Sequence, residues 1–401
     1  MGSLSYKYVI VGGGLAGASA VEGIREGDRN GSILLINNEK HLPYDRPPLS
    51  KKLWSGKKTV EEIFLHKKEF YERTNVALTI GVTATAVDVK NKTVTDDQGR
   101  TYAFQKLLFA TGAAPRILPV HGGTLDGICY FRTLDDYLRL RKEASEGKSA
   151  VVVGGGFIGS EMAAALAVNK IDVTMIFPEP YLVNRVFPES LGRALQEQYR
   201  SRGVKILAGE RPSAFSKAGN RFVTYTVSGK KIESDLVVVG VGIALSLELP
   251  RQAGLQTATG IIVDELLQAS LPDIYAAGDI AFFPYSVLGK QTRVEHWDNA
   301  VNQGKYAGGN MAGGREPYMY MPYFFSDLFE FGYEAVGDVD ASLETFADWQ
   351  KENDTGVIYY LKDGKVRGAM MCNVWDRVEA ARQLIRKAER VTPEDLRGAI
   401  R

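Results

Sequence analysis

The sequence predicts an α/β protein that uses one device, a strand followed by a glycine turn and a helix, twice over and then closes with a small α+β region. Three observations carry that reading. Glycine-rich turns stand at Gly12–Gly17 and Gly154–Gly159, each turn has a β-branched run before it and a small-residue run after it, and the pattern changes beyond Met321. At roughly 100–200 residues per domain, the 401 residues make two or three domains, each able to bury an ordinary core.

In chain order, Tyr8–Val11 is the first strand, Gly12-Gly13-Gly14-Leu15-Ala16-Gly17 the turn, and Ala18–Ile24 the helix that opens a βαβ unit. A polar, hairpin-rich stretch follows from Val87 to Tyr102, with turns at Asn91-Lys92 and Gln98-Gly99, and then a hydrophobic strand ending in glycine, Leu107–Gly112. The second copy runs Ala150–Val153, Gly154–Gly159 and Ser160–Val168, followed by Arg221–Ile232 with a turn near Ser228-Gly229, and then Leu236–Gly242. That repeated order predicts two related Rossmann-like, dinucleotide-binding domains. Beyond Leu245 come Ile274–Asp279 and a helix from about Asp298 to Met311. The last region has strands at Tyr333–Val336, Val357–Tyr360 and Val366–Met371 and a basic helix, Arg377–Arg390, and is expected to be a small α+β domain.

Composition excludes several classes. Lys plus Arg number 49 against 48 Asp plus Glu, a formal charge of +1, so no global field draws the chain to nucleic acid, and none is expected as a partner. Hydrophobic residues at 45% and charged residues at 24% belong to a folded chain. Cys129 and Cys372 stand far apart, with no disulfide framework, no CxxC and no zinc spacing, so no metal is expected and a reducing cytoplasmic location is. No apolar run approaches the ~18 residues of a membrane span, no signal-peptide pattern precedes Tyr8, and Tyr6 stands where a myristoylation signal wants Ser or Thr.

The glycine spacing has a chemical meaning. In GxGxxG the first glycine permits a tight turn, the second lets backbone approach a pyrophosphate, and the third lets helix and strand pack closely. Free amides and the positive end of the helix dipole then face the phosphates. Gly12, Gly14 and Gly17 fill these places in the first copy, and Gly154, Gly156 and Gly159 in the second. A ribose-binding acid belongs after the second strand of each unit: Glu39 follows Ile33–Asn37, and Glu179 follows Val173–Phe177. A carboxylate there repels a 2′-phosphate, which favours FAD in the first site and NADH in the second; Arg185 leaves NADPH open.

With both glycine motifs, Pro43-Tyr-Asp-Arg46-Pro-Pro-Leu-Ser-Lys51, Ala110-Thr111-Gly112 and Ala277-Gly278-Asp279, the chain resembles the FAD- and NAD(P)-dependent pyridine nucleotide oxidoreductases. Within that superfamily it is most similar to the group of ferredoxin and rubredoxin reductases and apoptosis-inducing factor. The resemblance implies a discontinuous FAD domain, 1–117 and 245–320, an inserted NAD domain, 118–244, and a C-terminal domain, 321–401. It implies that Gly12, Gly14, Ala16 and Gly17 hold the FAD pyrophosphate, that Arg46 and Lys51 serve the flavin end, and that Ala110, Thr111, Gly112, Gly278 and Asp279 also bind FAD. The helix near Asp298 would aim its N-terminus at the flavin pyrimidine edge. A lysine near flavin N5, Lys51, would pair with Glu161, the two forming the catalytic pair. Ile158 and Gly242 would also bind cofactor, Phe157 would cover the flavin face until nicotinamide displaces it, and Glu295, His296 and Trp297 would line the same cleft. Where the group has Trp before Ser-Asp, this chain has Phe325, which would face the flavin cleft, and Ile243-Ala244-Leu245-Ser246 replaces an Arg-Pro-Asn-like turn.

The resemblance also frames the acceptor. Disulfide reductases of the superfamily carry redox cysteines beside the flavin, and the first helix region here has none, so electrons are expected to leave from the flavin itself. An iron-sulfur protein, a quinone and oxygen are the candidates, with a ferredoxin or rubredoxin foremost. The basic C-terminal helix could steer an acidic ferredoxin or be a solvated face. A homodimer is left open. The alternative is an NADH-responsive flavoprotein, like apoptosis-inducing factor, whose redox state controls association.

Overall fold

In a computed structural model of the chain, residues 4–400 are described, and they form two compact units of interleaved sequence. The first comprises the residues up to Asp45, Val60–Ala114 and Leu245–Pro322; the second comprises Arg46–Thr59, Pro115–Ala244 and the residues from Tyr323 on. No helix among the described residues is long and apolar enough to cross a membrane.

The first unit is built on a parallel sheet in which Val76–Ile80, Ile33–Asn37, Leu4–Val11, Thr101–Phe109 and Ile274–Ala276 lie side by side. Its central strands read as unbroken apolar runs because both faces are covered; Tyr8, Val9 and Ile10 have no exposed surface. The strand Thr101–Phe109 takes two further partners within the same sheet. Its first residues pair antiparallel with Thr93–Asp96, which pairs in turn with Ala84–Asp88, and its last three pair with Ile274–Ala276. Lys92 and Gly99, at φ +50° and +76°, make the turns read at Asn91-Lys92 and Gln98-Gly99.

Small residues fix the helices of this unit. Leu15–Gly27 lies against Trp297–Met311 so closely that a Cβ at Gly304 would overlap the Ala16 carbonyl, one at Gly308 the Ala20 carbonyl, and one at Gly23 the Lys305 carbonyl. The contacts advance together along both helices, so the two run parallel and their N-termini share one end.

The second unit holds the second parallel sheet, ordered Lys205–Ala208, Asp172–Phe177, Ser149–Val153, Leu236–Val239, Cys129–Tyr130. An antiparallel meander, Pro212–Ala218, Arg221–Thr226 and Lys231–Ser234, follows it, with Gly229 at φ +86° in the turn read there. The last region is a five-stranded antiparallel sheet, ordered Tyr323–Leu328, Phe331–Gly337, Lys365–Cys372, Thr355–Lys362, Glu344–Lys351, and the helix Val378–Lys387 packs on its second and third strands. Three of these strands were expected. Tyr323–Leu328 and Glu344–Lys351 are additional, and the helix stops earlier than its basic run because Ala388 turns left-handed at φ +51°.

Candidate functional site

The two glycine turns are sterically alike. Gly12 and Gly154 take φ +119° and +121°, a region L side chains avoid, and a Cβ on them would overlap the carbonyls of Ala110 and Gly240. A Cβ on Gly17 or Gly159 would overlap the carbonyl of Gly12 or Gly154, so the third glycine lets each helix close on its strand. Gly14 and Gly156 alone of the six face open space. They are also the N-caps of Leu15–Gly27 and Phe157–Val168, neither carries a side-chain cap, and neither helix has an acid in its first turn. Each unit thus presents free helix amides to an anion across a glycine without a side chain.

Further groups in the first unit suit FAD. Thr111 Oγ1, Trp297 Nε1 and Gln303 Nε2 are buried without a protein partner, and buried donors of that kind are costly unless something satisfies them. Gly278, at φ +79°, lies against Ala16 and Ala300, and its N–H donates to Gln303 Oε1 at 2.9 Å. Ala110 is buried, and Gly112 takes φ +59°. Tyr44 donates its hydroxyl to Glu39 at 2.5 Å, and Asn37 Oδ1 accepts the Glu39 N–H, so this carboxylate has a fixed place after its strand. The Asp279 carbonyl accepts from Arg293, whose guanidinium also meets Glu295 at 2.5 Å. Burial pushes the His296 imidazole down to about 4, so it is neutral at ordinary pH.

In the second unit the constellation centres on Glu161. Pro47 and Pro48 preset a 3-10 turn, Pro47–Ser50, which Trp54 anchors by donating its indole N–H to the Leu49 carbonyl at 2.8 Å. The turn packs on the helix Phe157–Val168, buried from Gly159 through Leu166, and delivers Ser50 and Lys51 to it. Lys51 Nζ lies 2.7 Å from Glu161 Oε1, with the two side chains only 10% and 5% exposed. Ser50 Oγ donates to Oε2 and Ser326 Oγ to Oε1, each at 2.5 Å. Lys51 Nζ lies 5.3 Å from the centroid of Phe325. Phe157 meets Phe324, not Phe325, at 5.7 Å between centroids.

Other residues singled out from the sequence make separate contacts. Arg46 donates to the Arg132 carbonyl at 3.2 Å, Ile158 is 38% exposed, and Gly242 takes φ +97° in an open turn. Glu179 is half-buried just past Asp172–Phe177, and its carbonyl accepts the Gly209 N–H; Arg185 is exposed, and its carbonyl accepts the Ala341 N–H. The hydroxyls of Ser50 and Ser326 were missed as partners of Glu161, although both stand inside segments the sequence singled out. Gln303 and Tyr44 were missed as well.

Comparison with known proteins agrees with this geometry. Residues 6–304 match the family described as pyridine nucleotide-disulphide oxidoreductase, and residues 307–355 and 347–387 match the one described as apoptosis-inducing factor, mitochondrion-associated, C-term. A rubredoxin-NAD(+) reductase of Pseudomonas putida is 35% identical over 322 residues, 80% of this chain and 83% of the relative. Monodehydroascorbate reductase 2 of Arabidopsis thaliana is 33% identical over 392 residues, 92% of this chain and 90% of the relative. The crystal structure of a ferredoxin reductase from Rhodopseudomonas palustris superposes with a TM-score of 0.91 at 30% identity, covering 97% of this chain and 96% of that one. The fold class read from the sequence is the observed one, and the cofactors are FAD and NAD(P)H. Both cysteines lie buried in the second unit, where desolvation pushes the Cys129 thiol up to about 12 and the Cys372 thiol higher still. The chain is a flavoprotein oxidoreductase and belongs to the pyridine nucleotide-disulphide oxidoreductase family.

Proposed function

We propose that the protein takes reducing equivalents from NADH and delivers them to a small electron-carrier protein of ferredoxin or rubredoxin type. The observation that carries the reading is the buried Lys51 ammonium held by Glu161, in a unit whose second glycine turn offers open helix amides to a dinucleotide. In this reading residues 1–117 and 245–320 hold FAD, residues 118–244 hold NADH, and residues 321–401 form the C-terminal domain. When bound, FAD supplies a two-electron acceptor for the nicotinamide hydride and a source of single electrons. The protein's part is placement: Gly14 and Gly156 leave room for pyrophosphates, Glu39 and Glu179 receive ribose hydroxyls, and Lys51 keeps a fixed positive charge because Glu161 makes its burial tolerable. His296, held neutral, acts as a packed residue and not as a base.

Two buried cysteines whose thiols stay protonated support electron exit without a sulfur relay. The rubredoxin and ferredoxin reductases among the relatives support a carrier protein as acceptor. The basic C-terminal helix weighs less, because Glu379 already engages Arg382 at 3.6 Å and Arg386 at 3.2 Å.

The match to the apoptosis-inducing factor C-terminal family favours one second reading, in which NADH-dependent reduction controls association. One experiment separates them. The NADH-reduced protein is mixed in turn with a ferredoxin, a rubredoxin and monodehydroascorbate radical while flavin absorbance is followed. Fast reoxidation by a carrier protein alone supports the proposal, and fast reoxidation by the radical alone refutes it. Slow reoxidation by all three, with an NADH-dependent change in sedimentation, supports the second reading.

A further inference from the structure

We propose that Ser326, together with Ser50, is a positioning residue for the lysine pair; this rests on the reading of the protein as an NADH-reduced flavoprotein. Glu161 Oε1 is shared by Lys51 Nζ at 2.7 Å and Ser326 Oγ at 2.5 Å, and Ser50 Oγ takes Oε2 at 2.5 Å. Three donors from two separate segments therefore bracket one carboxylate. Ser50 and Ser326 are themselves 4% and 1% exposed, so no bulk water replaces either hydroxyl.

The arrangement follows from the softness of a glutamate's last torsion. The carboxylate plane rotates over a broad range unless something fixes it, and an ammonium bound to one oxygen moves with it. A donor on each oxygen pins the plane, and the pinned plane sets where Nζ stands. The strand Tyr323–Leu328 acts on both members of the pair: Ser326 holds the carboxylate from one face of the strand, and Phe325, on the other face, bounds the ammonium at 5.3 Å from ring centroid to Nζ. Phe324, on the face of Ser326, meets Phe157 of the same helix that carries Glu161, so ring packing fixes the strand against that helix. The C-terminal sheet thereby sets the position of a charge whose chemistry belongs to the dinucleotide domain.

The test compares Ser326→Ala, Ser50→Ala, Ser326→Thr and Glu161→Gln, singly and with each serine variant placed in the Glu161→Gln background. Stopped-flow absorbance of the FAD-loaded protein gives the maximal rate of reduction by NADH and the NADH concentration at half saturation. Mass spectrometry after acetic anhydride treatment gives the rate at which the Lys51 amine is acylated, with and without FAD. Ser326→Ala should lower the maximal rate by a factor between about 2 and about 150, the range of coupling between residues of one network, with half saturation unchanged, and should speed Lys51 acylation by a similar factor. Ser50→Ala should act in the same direction. In the Glu161→Gln background neither serine change should have further effect, and Ser326→Thr, which keeps a hydroxyl, should restore both readings. Wild-type rates and acylation in both alanine variants would overturn the proposal, as would effects that add in full to Glu161→Gln. A wild-type protein that binds FAD but is not reduced by NADH would refute the underlying reading instead, and acylation of Lys51 would still decide whether the hydroxyls hold it.

Discussion

Glu161→Ala leaves the Lys51 ammonium, 10% exposed, beside a methyl group, and leaves the Ser50 and Ser326 hydroxyls without their acceptor. Because the pair is nearly dry, the discount that applies to exposed ion pairs is small here. Removing one partner of a buried pair costs about 3–5 kcal/mol, mostly the penalty of the charge left behind, and rotation of the flexible lysine stem toward water lowers that figure toward its lower bound. The assay is urea denaturation of the FAD-loaded protein followed by tryptophan fluorescence, with the midpoint shift converted at constant slope. A second variant separates stability from chemistry. Lys51→Met combined with Glu161→Leu replaces the charges with apolar groups of similar size and should recover most of the lost stability, while flavin reduction by NADH stays slow. A loss below about 1 kcal/mol for Glu161→Ala would mean the pair is not the buried, dependent contact its geometry describes. Wild-type reduction by the double variant would remove it from the chemistry.

On the proposed role of Glu179 as the ribose acid, Glu179→Ala should shift the ratio of catalytic efficiencies toward NADPH; an unchanged ratio would place cofactor choice elsewhere. Gly304→Ala should cost about 1–3 kcal/mol, because its Cβ overlaps the Ala16 carbonyl, whereas Gly309→Ala, whose Cβ comes no nearer than 4.0 Å to Gly23 O, should gain up to about 1 kcal/mol from helix propensity; equal effects in urea denaturation would contradict the helix contact. His296 titrates near 4 in the folded chain against an ordinary 6.5, so between those values the unfolded chain binds a proton that the native state refuses. Stability should therefore fall as pH drops from about 6.5 toward 4 and be untouched above that window, and His296→Phe should flatten that limb of the stability profile.

The parallel sheets and glycine turns were legible because their constraint is steric and local: a chain that must take φ near +120° at Gly12 and Gly154 leaves glycine at those places. Strands with a plain apolar run, such as Leu107–Phe109 and Leu236–Val239, were legible for the same reason. Tyr323–Leu328 was harder, since three consecutive aromatics followed by Ser and Asp carry no period of two, and Glu344–Lys351 is a mostly exposed edge strand with no apolar stripe. The Lys51 and Glu161 pair came from resemblance to a family and not from spacing. Ser326 was out of reach, because it meets Glu161 across 165 positions of chain and a serine gives no sign of its partner in its own neighbourhood. Phe325 was expected to face the flavin cleft; its ring lies beside Lys51, while its neighbour Phe324 meets Phe157.

The interleaving of the two units governs how the chain can be made. The first unit needs Leu245–Pro322 before its helix pair and last parallel strand exist, and the second needs residues beyond Tyr323 before Glu161 meets Ser326. On a ribosome emitting roughly 5–20 residues per second, the helix Leu15–Gly27 and the strand Thr101–Phe109 wait many seconds for Trp297–Met311 and Ile274–Ala276. The core of the first unit is therefore completed only after about three quarters of the chain has been made.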